Sequence, residues 1–156
     1  MPRLTWSKLN HLQFGRYAEY YAKMEFTSYG YDVYTSEVDD HGVDFIAKSP
    51  AGCFLEVQVK AVRGCNYTYI KANKLELDDR HIVCYLRFDD GLLPDIFIIP
   101  AIVWQTPNAV FVCYHAGRSE KAGSKEFGIN SSKKNAHLLE SYRADRYFEK
   151  NGEDVL

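Results

Sequence analysis

Asp44, Gln58 and Lys60 have the residue types and spacing to hold a hard divalent cation beside a phosphate. Hydrolysis of a phosphodiester needs a water that is deprotonated or oriented, and the charge growing on the phosphate must be neutralised. Mg²⁺ held by oxygen ligands meets both needs. Carboxylates and amide carbonyls suit that cation, whereas Cys and His suit softer ones. Asp44 offers a carboxylate two residues after Gly42, while Gln58 and Lys60 stand two apart and so share one face of a strand. The backbone carbonyl of Val59, between them, is a further oxygen donor. Lys60 would then place a positive charge next to the water.

Each residue also has an ordinary explanation. Asp44 after a glycine suits a turn, and Glu56, Gln58 and Lys60 suit the solvent face of a half-buried strand. The case rests on the elements that would bring them together. Phe14, Tyr17, Ala18, Tyr21, Ala22 and Tyr29 recur at three- and four-residue steps, which predicts an amphipathic helix over residues 11–29 stopped at Gly30. Residues 31–36 and 42–48 read as short strands, the second following a turn at Asp39-Asp40-His41-Gly42. Pro50-Ala51-Gly52 is a turn into a strand over 53–62, where Leu55, Val57, Val59 and Ala61 face one way and Glu56, Gln58 and Lys60 the other. If these last two strands pair as a hairpin, Asp44 and Gln58 approach one cation.

Downstream, residues 66–71, 81–88, 94–100 and 109–115 read as strands, with a helical turn at 101–105. A loop at 116–125 leads to a short edge strand over 126–130, and a final helix covers 135–150. The class is α+β or mixed α/β.

A length of 156 residues favours a single domain, and 46% hydrophobic with 26% charged residues is the balance of a soluble globular protein. The longest apolar run, residues 96–104, is broken by Pro100 and too short to span a bilayer. The first residues do not read as a secretory signal, so a cytoplasmic protein is expected. Cys53, Cys65, Cys84 and Cys113 form no CxxC pair, which argues against a zinc site or a disulfide framework. A net charge of -2 gives no global attraction to nucleic acid, so any binding surface must be local. Arg63, Lys71, Lys74, Lys121, Lys125, Lys133 and Lys134 are the candidates for phosphate contacts. Most of the twelve tyrosines are expected in the core or on sheet surfaces rather than as stacking platforms.

The run GRYAEYYAKMEFTSYGYDVYTSEVDDHGVDFIAKSPAGCFLEVQVKAV resembles the core of the PD-(D/E)XK nucleases. It has a helix bearing a glutamate, a Gly-aromatic exit, a strand, an aspartate and an ExK-like strand. Glu19 matches the helix glutamate, Asp44 the aspartate and Lys60 the lysine. Gln58 stands where the second acid usually is, and Val43 where the motif's proline usually is. The QxK form resembles Mrr-type restriction enzymes and a group of intron-encoded homing endonucleases.

The resemblance implies a restriction-endonuclease-like fold, a central mixed sheet flanked by helices. It implies one nuclease-like domain over residues 1–156, with the metal-site core at 11–62 and appended strands and a carboxy-terminal helix at 63–156. It also implies a Mg²⁺-dependent DNA endonuclease, with Mn²⁺ able to substitute, and adds Glu19 to the ligands and catalytic residues. Glutamine in place of the acid weakens affinity for the cation, and Glu56 on the same face is a possible accessory ligand. A homing or restriction type is favoured. The alternatives are an enzyme like the Holliday junction resolvases, which more often keep the full acid, an inactive binding or structural module of the same fold, or an unrelated α+β domain. Duplex or branched DNA is the expected partner, and two cuts in a duplex predict a homodimer or higher oligomer.

Overall fold

The computed structural model describes residues 2–37, 41–115 and 125–152. Helix α1 (His11–Ser28) starts at a capping box in which Asn10 and Gln13 each bond the other's backbone N–H, at 2.9 and 3.0 Å. Phe14, Ala18, Ala22 and Phe26, four apart, are its buried residues. The two alanines let the helix lie close to the sheet. It ends in a Schellman motif: Gly30 N–H donates to Thr27 C=O at 3.0 Å and Tyr31 N–H to Phe26 C=O at 3.2 Å, with the Tyr31 ring edge-on to Phe26.

The strands are β1 (Asp32–Tyr34), β2 (Phe45–Lys48), β3 (Phe54–Arg63), β4 (Thr68–Lys71), β5 (His81–Phe88), β6 (Asp95–Pro100), β7 (Phe111–His115) and β8 (Lys125–Ile129), and the chain continues to α2 (Ala144–Gly152). A five-stranded sheet runs β1-β2-β3-β5-β6, with β3 and β5 parallel and the other pairs antiparallel. The fold is therefore mixed α+β around a central mixed sheet. Interior β5, HIVCYLRF, is buried on both faces and so reads as a nearly unbroken apolar run.

The two faces of that sheet carry separate apolar clusters. Val57, Ile82, Cys84, Leu86 and Ile98 pack against α1 and α2. Val62, Val83, Tyr85, Phe97 and Ile99 point to the opposite side, where a second sheet, β4-β8-β7, covers them with Ile70, Phe111, Phe127 and Ile129. The connection from β3 to β5 passes through β4, so it ties the two sheets together beside Gln58 and Lys60.

Two expectations change. The strand near residue 126 is not at an edge: β8 lies between β4 and β7, and Gly128 C=O accepts the Trp104 Nε1–H at 3.0 Å. Its second partner, β4, is far away in sequence, where local pattern carries no information. The final helix is broken. Residues Ala136–Tyr142 form a 3-10 helix, Arg143 is extended at φ -54° and ψ 141° and bridges to Phe97, and α2 begins only at Ala144. The Arg143 side chain fixes the break, donating to Glu140 at 2.8 Å and Asp95 at 3.2 Å. The predicted turn at Asp39-Asp40 and most of the loop at 116–125 lie outside the described residues.

Candidate active site

β2 and β3 pair from Phe45 opposite Val57 to Lys48 opposite Phe54. One step beyond the Phe45–Val57 pair, the register sets Asp44 against Gln58. Asp44 N–H donates to Val57 C=O at 2.9 Å, and its Oδ2 accepts the Val59 N–H at 2.6 Å. Asp44 is thereby tied to both neighbours of Gln58, and its carboxylate takes the N–H that a continued ladder would have used. Strand geometry turns the Val59 carbonyl to the same side as its N–H, into the fork where β2 leaves β3.

Gln58 Oε1 is buried and has no hydrogen-bond partner among the described residues. A buried amide oxygen left unmatched costs free energy unless something else meets it. Gly42 closes over this side chain: its φ of 80° favours glycine, and a Cβ there would crowd Lys74 Cβ and its carbonyl oxygen at 3.2 Å and meet Gln58 Nε2 at 3.5 Å. Lys60 is half-buried, and burial lowers its pKa while the charge of Asp44 pulls it back up. Its ammonium is thus electrostatically coupled to the carboxylate across the fork. Gln58 and Lys60 open into a cleft of about 450 Å³ between β3 and β4, lined also by Lys71, Lys74, Tyr67 and Tyr69.

Asp44, Gln58, Val59 and Lys60 are thus brought together. Glu19 is half-buried on α1, on the helix side of the sheet, and its Oε2 pairs with Arg16 Nη1 at 3.1 Å. Glu56 is also engaged: Oε2 meets His81 Nε2, and His81 Nδ1 lies 2.7 Å from Asp78 Oδ1. That contact and two backbone N–H groups hold the Asp78 carboxyl below its usual pKa. To serve as an accessory ligand, Glu56 must leave His81. Among the described residues, no group of three or more His, Cys, Asp and Glu side chains is arranged to hold a metal. The oxygen donors at the fork are one carboxylate, one amide and one backbone carbonyl.

The basic candidates divide. Lys71 and Lys74 line the cleft. Lys125 is exposed at the start of β8, with Nζ 5.5 Å from the Phe127 ring centre, while Lys133 and Lys134 are exposed on the turn after β8. Lys121 lies outside the described residues. Arg63 is committed to the fold: its guanidinium donates to Trp6 C=O at 3.1 and 3.2 Å and to Leu9 C=O at 2.7 Å, and lies 4.1 Å from the Phe14 ring centre. Arg63→Ala should therefore cost about 2–3 kcal/mol in urea unfolding, as expected when charged hydrogen bonds to carbonyls are lost. It should leave the salt dependence of DNA binding unchanged. A shallower salt dependence with unaltered stability would show instead that Arg63 contacts phosphate.

Sequence reasoning did not single out Tyr67, Tyr69 or His81. The first two were readable as alternation with Lys71 in NYTYIK, which places all three on one side of β4.

No known protein family's profile matches the chain, and no curated protein matches it in sequence. Among solved structures it is similar to the Holliday junction resolvase Hjc of Archaeoglobus fulgidus, at 16% identity and a TM-score of 0.49, over 74% of this chain and 83% of that one. A likeness of that size bears on neither activity nor substrate. Both rest on the side chains at the fork.

Proposed function

We propose that this chain is a divalent-metal-dependent DNA endonuclease whose hydrolytic centre is the fork of Asp44, Gln58, Val59 and Lys60. The observation that carries this reading is the buried, unpartnered Gln58 Oε1 beside the Asp44 carboxylate and the Lys60 ammonium. A hard cation is the ligand these groups suit: Asp44, Gln58 and the Val59 carbonyl would hold it, and Glu19 would join after releasing Arg16. Mg²⁺ or Mn²⁺, when bound, supplies Lewis acidity toward the phosphate and lowers the pKa of a coordinated water. Lys60 orients the attacking water and offsets charge on the phosphate, while Lys71 and Lys74 hold flanking phosphates in the cleft. With an amide where a second carboxylate would stand, cation affinity is weak.

The homing or restriction assignment rests on the glutamine alone, and a resolvase-type enzyme would act on branched DNA. A symmetric second copy is the expected source of a second cut. The missing acid also favours a second reading, a nucleic-acid-binding module of this fold without catalysis. Supercoiled, linear and branched DNA incubated with Mg²⁺, Mn²⁺ or chelator separates the two. Cleavage with metal and none with chelator supports the enzyme, whereas binding without cleavage under every metal condition supports the module.

Binding itself should weaken steeply with salt, and Lys71→Ala and Lys74→Ala should each reduce the slope of log affinity against log salt by about one unit on duplex DNA. An unchanged slope in both variants would remove the cleft from the DNA path.

A further inference from the structure

Tyr67, Tyr69 and Tyr114 are 42%, 46% and 49% exposed, and they gather on the outer side of the second sheet. The rings of Tyr67 and Tyr69 lie nearly parallel, 22° apart with centres 6.2 Å apart, and Tyr114 is 6.2 Å from Tyr67. This arrangement is built rather than incidental. The Tyr67 ring rests on β8 at Gly128, where a Cβ would come within 2.2 Å of the phenol oxygen and 2.6 Å of the ring. Its hydroxyl donates to Glu126 Oε2 at 3.0 Å, which fixes the ring's direction. Tyr69 follows two residues later, on the side of β4 that carries Lys71.

Singly exposed rings are ordinary, but a contiguous exposed aromatic patch marks an interaction surface. Here Tyr67 and Tyr69 line the cleft that contains Gln58 and Lys60, together with Lys71 and Lys74, and Tyr114 extends the patch beyond Tyr67. Exposed π-faces beside a row of ammonium groups complement one kind of polymer: a strand whose phosphates meet the lysines and whose bases are free to stack. In a duplex the bases are already stacked on one another, and their faces are closed to the rings.

We propose that Tyr67, Tyr69 and Tyr114 form a stacking platform for unpaired DNA bases next to the cleavage fork, so that the chain selects single-stranded or locally unpaired DNA over intact duplex. The proposal rests on the nuclease reading for the place of the scissile phosphate, but its test is of binding alone. Binding of an oligothymidylate carrying one 2-aminopurine is measured in chelator by fluorescence, beside a duplex of equal length measured by anisotropy. The wild type should bind the single strand more tightly and quench its fluorophore. Tyr69→Ala should weaken single-strand binding about tenfold, the scale of one base–aromatic stack, and Tyr69→Phe should restore it. Duplex affinity should change less than about twofold. Tyr114→Ala provides a second variant on another strand and should act in the same direction.

Equal losses on single strand and duplex, or no loss in either alanine variant, would overturn the platform and leave the nuclease reading intact. No binding to either DNA by the folded wild type would overturn both.

Discussion

Asp44→Asn should abolish detectable cleavage, a loss of about 10²-fold or more, while the protein stays folded. Asparagine keeps an oxygen that can accept the Val59 N–H, so the 2.6 Å hydrogen bond that closes the fork has a successor. What is lost is the negative charge. Asp44→Ala removes both, and leaving a strand N–H unmatched should add about 1–3 kcal/mol of destabilisation. The pair thus separates a carboxylate needed for chemistry from an acceptor needed for structure. Equal activity in wild type and Asp44→Asn, measured on the same supercoiled substrate across Mg²⁺ concentrations, would remove this carboxylate from the reaction. Lys60 reports the same change independently. Its pKa is already lowered by burial, and Asp44 opposes that lowering, so Asp44→Asn should lower it further. Titration of the Lys60 amine by NMR would show the shift.

The sign of the Lys60 effect on stability follows from linkage. Its folded pKa lies below the unfolded value, so between the two the native state binds fewer protons than the unfolded chain. Stability gained from this group therefore rises with pH through that window and is fully present above the unfolded lysine pKa. It is lost as pH falls through the folded value. Lys60→Met should flatten that part of the stability profile.

The elements that position the fork were legible because their signals are local. Apolar steps of three and four marked α1, Gly30 marked its end, and the alternation from Leu55 to Ala61 sorted Gln58 and Lys60 from the buried face. The residues at the fork share a short hairpin, and for that reason Asp44 and Gln58 could be paired from the sequence. Glu19 stands differently, because its place depends on how a helix rotates over a sheet. The structure pairs it with Arg16 on its own helix. Arg63 looked like a phosphate ligand because a charge carries no mark of its partner; two backbone oxygens from a distant segment claim it through three hydrogen bonds. The closing of the second sheet was beyond local pattern, since β8 pairs with β4, more than fifty residues away. Its consequence for the site is large: β4 forms the wall that turns an exposed strand face into a cleft.

Gln58 should respond to substitution in a way that distinguishes a ligand from a structural residue. Its buried Oε1 without a partner is a cost to the metal-free fold. Gln58→Met keeps an unbranched side chain of similar length and removes that oxygen, so it should raise stability by about 1–3 kcal/mol in chelator. The same variant should lose cleavage and the increase in Tm that Mg²⁺ gives the wild type, because stabilisation by a ligand requires that the folded state bind it. Gln58→Glu should do the reverse. A second carboxylate facing Asp44 repels it in chelator and lowers Tm, and added Mg²⁺ should recover more than the loss while lowering the concentration needed for half-maximal cleavage. These opposed responses follow from one feature, an oxygen held ready at a cost to the fold. A wild-type Tm indifferent to Mg²⁺ and Mn²⁺, together with a destabilised Gln58→Met, would mean that the amide serves packing and that the fork holds no cation.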